Sequence, residues 1–96
     1  MNQFFEELGQ DWMDAAKRRG VEIVKPTLDS RVALELLELA RVAAHTQERR
    51  FAPLTSYTAG VAAERLRAAK PELDDSAIAA FINEVRQKLE REVPGL

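Results

Sequence analysis

His45 is the only imidazole in the chain, and no cysteine accompanies it. It stands in the stretch AHTQERRFAPLTSY, residues 44–57, with Arg41 one helical turn before it and Arg49 and Arg50 after it. Two chemistries suit such a set. His45 and Glu48 have the i, i+3 spacing with which helical bundles hold metal ions, but those bundles use the motif twice, with further inward carboxylates. Here it occurs once, and a structural zinc site has no thiolate to build on. No metal centre is expected. The other chemistry is anion binding. At about 100° per residue His45 falls opposite Leu36, on the back of its helix. It is either a solvated histidine near a helix C-terminus, where positive charge is favoured, or one of four cations, with Arg41, Arg49 and Arg50, that converge on an anion.

The helix that follows supplies a second reason to consider an anion. Pro53 suits the first helical position, which needs no N–H. Ala52 would then be the cap, and alanine offers no side-chain acceptor. The N–H groups of Leu54, Thr55 and Ser56 would lack intrahelical partners and would turn to water, to a carboxylate such as Glu48, or to a phosphate or carboxylate ligand. Farther along, Gly60 interrupts an alanine-rich helix. A mid-helix glycine costs about 1 kcal/mol against alanine and marks close approach. Ser56, Gly60 and Ala63 form a small-residue groove, to be crossed by another helix of the same chain or filled by a ligand or partner helix. Phe51 either packs into the core or stands out as a contact residue.

Catalytic chemistry finds no footing. Glu6–Glu7 and Asp74–Asp75 are adjacent acids that point to different faces or act as caps, so neither forms an acid–base pair. The glycines are scattered at positions 9, 20, 60 and 95, and no phosphate loop can be drawn through them. A hydroxyl nucleophile would have only His45 as base and no third group to orient it. No catalytic residue and no cofactor are expected, and the chain reads as a non-enzymatic domain.

The elements that must position these residues are helices. Phe4 or Phe5, Leu8, Trp12 and Ala15 or Ala16 recur at three- and four-residue steps, up to a stop at Gly20. The connector VEIVKPTL reads as an extended tether whose apolar residues lean on the core. Asp29 or Ser30 caps a second helix, with Val32, Leu36, Leu39 or Ala40, and Ala43 on one face, widened by Ala33, Leu37 and Ala44. The third helix runs from Pro53 to Lys70, where Pro71 ends it. Asp74 or Asp75 caps the fourth, whose stripe is Ile78, Phe81 or Ile82, Val85 and Leu89; Pro94 and Gly95 close it. The expectation is an all-α fold, a compact bundle of four helices with short loops, forming one domain over residues 1–96.

Composition narrows the partners. The 96 residues are 46% hydrophobic and 31% charged with a net charge of −2, which fits a globular domain and argues against general nucleic-acid binding. A DNA-reading helix is excluded too, because the third helix is rich in alanine. The fourth sets Arg86, Lys88 and Arg91 against Glu84, Glu90 and Glu92, the pattern of a solvated face. The N-terminal segment mixes acids with apolar residues, unlike a signal peptide, and no run approaches the roughly 20 apolar residues that span a bilayer. Cytoplasmic residence and no membrane partner are expected.

The run AHTQERRFAPLTSYTAGVAA, through Ala44, His45, Arg49, Ala52, Pro53, Leu54, Thr55 and Gly60, resembles the signature of a small bacterial helical domain family of uncharacterised function. That family occurs alone or joined to proteins similar to molybdenum-cofactor guanylyltransferases. The stretch departs from it at Arg50-Phe51, where the family has proline and a small residue. The resemblance implies an accessory role near molybdopterin nucleotide maturation and a maturation enzyme as protein partner. Beside it stand two other expectations: a small-anion domain that binds a phosphate or nucleotide at the third helix start, and a homodimer built on the groove at Gly60.

Overall fold

In the computed structural model, which describes residues 2–92, the chain forms four helices: α1 (Gln3–Lys17), α2 (Ser30–Thr46), α3 (Phe51–Ala69) and α4 (Asp75–Glu92). No strand occurs among the described residues. The fold is all-α, as the periodicity predicts. Pro94 and Gly95, expected to close the last helix, lie outside the described residues. The chain divides into two units, Met1–Ser30 and Arg31–Leu96, taken here in turn.

The first unit is α1 and the extended segment after it. Asn2 caps the helix, its Oδ1 accepting from the Phe5 N–H at 3.2 Å. At the other end Gly20 takes φ 79°, a left-handed conformation that side chains resist. Its N–H reaches the Lys17 carbonyl (2.9 Å) and the Val21 N–H reaches that of Ala16 (3.0 Å), so two carbonyls of the last turn are satisfied in a Schellman turn. The chain then doubles back along α1. Lys25 Nζ meets Glu6 Oε2 at 3.0 Å, and the Lys25 ammonium holds the Glu6 carboxyl below its usual value of 4.5. Gly9 is buried beneath the returning strand of chain.

The first three apolar residues of the tether do not hold it. Val21, Ile23 and Val24 are exposed, Val24 by 92%, which corrects the expectation that they lean on a core. The fixed points lie farther on, at Lys25 and Pro26. A Cβ added at Gly9 would lie 2.8 Å from the Pro26 carbonyl oxygen and 3.1 Å from Lys25 Cε. Gly9→Ala therefore sets a packing cost of about 1–3 kcal/mol against a helix-propensity gain of about 1 kcal/mol. Because the closest atom is backbone oxygen, the clash wins. A net loss of about 1 kcal/mol is expected, read as a lower urea midpoint in the fluorescence of Trp12, the chain's one tryptophan. An unchanged midpoint would show that the tether yields freely.

The second unit holds α2, α3 and α4 around a small apolar core: Val32, Leu39, Val42, Ala43, Ala63, Ile78 and Ile82 are buried. On α2 the buried stripe turns toward Val42 and the half-buried Glu35. Leu37, expected on its edge, is 68% exposed. α3 packs on α4. Asp74 is the cap of α4, accepting from the Ala77 N–H at 2.9 Å. Asp75 is thereby free to accept from Arg67 Nη2 of α3 at 2.7 Å. Val85, placed on the apolar stripe by spacing alone, is 46% exposed.

Candidate functional site

Two of the cations around His45 are engaged by carboxylates of the chain itself. His45 is exposed in the last turn of α2. Arg41 turns to two carboxylates instead, Glu38 at 3.0 Å and Glu90 at 3.5 Å, and Arg50 Nε to Glu48 at 2.5 Å. Arg49 is exposed and forms no ion pair among the described residues. Two of the three arginines are thus neutralised inside the chain. Glu48 lies past the end of α2 at Thr46, and no group of three or more metal-ligating side chains occurs among the described residues.

The helix start also differs from the sequence reading. α3 begins at Phe51, with Arg50 at the cap position and no side-chain cap bond. Pro53 is its third residue, not its first. The Phe51 N–H donates to the Glu48 carbonyl (3.0 Å) and the Ala52 N–H to that of Arg49 (3.2 Å), closing a tight turn. Proline has no N–H to satisfy. Leu54, Thr55 and Ser56 fall inside the helix, and the Thr55 and Ser56 N–H groups face the Phe51 and Ala52 carbonyls four residues back. The first N–H groups of the helix are thus those of Phe51 and Ala52, and the turn at 48–50 supplies acceptors for them that composition does not reveal.

What the second unit does present is a groove along α3. A Cβ at Gly60 would meet nothing within 4 Å, so no described helix of this unit crosses it, contrary to the close-packing expectation. The expected trio divides: Ala63 is buried in the core, while Ser56 and Gly60 line the open groove with Tyr57, Val61, Glu64, Arg65 and Ala68. The hollow measures about 620 Å³. Tyr57 is 74% exposed and Leu54, one turn earlier, 61%. Leu54, Tyr57, Val61, Glu64 and Ala68 follow at alternating steps of three and four, the spacing of a helix-pairing seam. Phe51, at the head of the helix, is 37% exposed, neither a core residue nor part of the groove lining.

The first unit has a hollow of its own, about 110 Å³, between Phe5, Leu8, Gly9 and Trp12 of α1 and Pro26 to Leu28 of the tether. The sequence signal for it was a glycine on an otherwise apolar helix face, with a Lys-Pro pair following at short range. Phe4 stacks edge-on against Phe5, ring centroids 5.0 Å apart, and remains 64% exposed.

No helix is long and apolar enough to cross a membrane among the described residues. No curated protein and no solved structure matches the chain. A family model described as "Domain of unknown function (DUF6457)" matches residues 6–94, nearly all of the described helices and both hollows, and the chain belongs to that family.

Proposed function

We propose that the chain is a non-catalytic accessory domain that docks on protein partners through the outer face of α3. The observation that carries this is the open groove at Gly60: a helix carries a costly glycine, no element of its own unit uses the space, and Leu54 and Tyr57 stand exposed on its rim. A contiguous apolar patch rimmed by charged residues is what a soluble surface keeps for recognition. The resemblance around Ala44 to Gly60 adds a setting, the maturation of the molybdenum cofactor, in which a guanylyltransferase-like enzyme is the partner to try first.

The test uses the intact chain as bait in native extract and, separately, with such an enzyme in purified form. A stoichiometric partner is expected for the unaltered chain. Leu54→Asp places a charge on the groove rim without touching the core, and is expected to weaken capture about tenfold or more with helical content unchanged. Capture that ignores Leu54→Asp, or a bait that brings down no stoichiometric protein, overturns the proposal.

A further inference from the structure

The groove residues have an order that names their occupant. Reversing α3 about the Gly60–Val61 pair maps Gly60 onto Val61, Tyr57 onto Glu64 and Ser56 onto Arg65, all six of them groove-lining positions. Resting on the reading of α3 as a helix-docking face, we propose that the helix it takes is α3 of a second copy, laid antiparallel across a two-fold axis at Gly60–Val61.

Charge and shape both support that arrangement. In the antiparallel register each Tyr57 hydroxyl can donate to the partner copy's Glu64 carboxylate, because the two residues lie within about 20° of each other around α3. The pairing occurs twice, as an isologous interface requires. A parallel pairing would instead set Glu64 against Glu64, a like-charge penalty at the centre of the contact. The antiparallel choice also opposes the two helix dipoles. Gly60 lets the partner backbone come close, since nothing lies within 4 Å of where its Cβ would be. Leu54, 61% exposed, lies two turns from the axis and extends the apolar seam toward the partner copy's Ala68. The 19 residues of α3 span about 28 Å. One helix pair of that length sits at the small end of specific interfaces, so a dissociation constant of about 10–100 µM is expected.

The register is tested by two opposite charges at one site. The residues three and four positions from Tyr57 on its own helix are Pro53, Leu54, Gly60 and Val61, none of them charged. Tyr57→Glu and Tyr57→Lys therefore differ mainly in what they meet across the interface. Sedimentation equilibrium of the intact chain, from micromolar to about millimolar concentration, is expected to show a monomer–dimer equilibrium. Tyr57→Glu, facing Glu64 twice, should weaken it at least about tenfold, whereas Tyr57→Lys should stay within about threefold of the unaltered chain. A strictly monomeric chain overturns the proposal, and so does a dimer that responds equally to both variants or to neither. A monomer whose capture of another protein still depends on Leu54 overturns only the second copy, and leaves α3 as a docking face.

Discussion

Ile78→Ala is expected to remove about 3 kcal/mol of stability and to lower the melting temperature by about 12–24 °C. Ile78 and Val42 are the two largest fully buried side chains of the described chain. Trimming Ile78 forfeits the transfer free energy of three carbons and leaves a cavity that helices pinned at both ends close poorly. The second unit has seven buried apolar residues, two of them alanines, so few other contacts can compensate. A unit of this size is stable by only about 3–10 kcal/mol, which makes the loss a large share of the whole. The matched control is Val85→Ala. Spacing puts both residues on one stripe, yet Val85 is 46% exposed and its truncation should cost less than about 1 kcal/mol. Thermal melts followed by circular dichroism read both. Equal losses at the two positions would mean that the stripe, and not the burial, describes the core.

What could be read in advance was what the backbone chemistry of a few neighbouring residues decides. Gly20 ends α1 through a left-handed turn, Pro71 follows the end of α3, and Asp74 caps α4, each within a span of three or four residues. The misreadings came where distant chain decides. Proline fits any position in the first helical turn, so Pro53 could not say that α3 starts at Phe51; the carbonyls of Glu48 and Arg49 do. A mid-helix glycine marks a close approach or a space kept open, and only the neighbours of Gly60 separate the two. On α2 the apolar positions nearly encircle the helix, so the spacing put Leu37 at the edge of the stripe and passed over Val42. Packing chose Val42. Nor could spacing foresee the ion pairs of Arg41 and Arg50, since one of their carboxylates, Glu90, lies 49 positions away from Arg41 in sequence.

Arg86→Met is expected to destabilise the second unit by about 2 kcal/mol, although sequence alone puts Arg86 on a solvated face. Its side chain is 17% exposed. Nη1 donates to Glu90 at 2.8 Å, and Nε lies 3.6 Å from Glu35 of α2. Glu90, first, and Glu35 hold the guanidinium's proton more firmly than usual. Around this centre the signs alternate: Glu90 also meets Arg41, which meets Glu38, and Asn83 Nδ2 donates to both Glu35 oxygens at 3.2 Å. Removing the cation leaves the half-buried Glu35 without its counter-ion and Glu90 with Arg41 alone, which costs more than the pair itself contributes. Methionine keeps the apolar stem, so the loss reports charge and hydrogen bonding more than packing. Glu35→Gln in the Arg86→Met background removes one of the stranded charges while its amide oxygen still accepts from Asn83. That second change should return about 1 kcal/mol, whereas in the unaltered chain it should be destabilising. Urea denaturation of the four proteins gives the coupling directly. If the two losses simply add, the network is solvated as the sequence pattern alone would have it, and α2 and α4 are held in register by their apolar faces only.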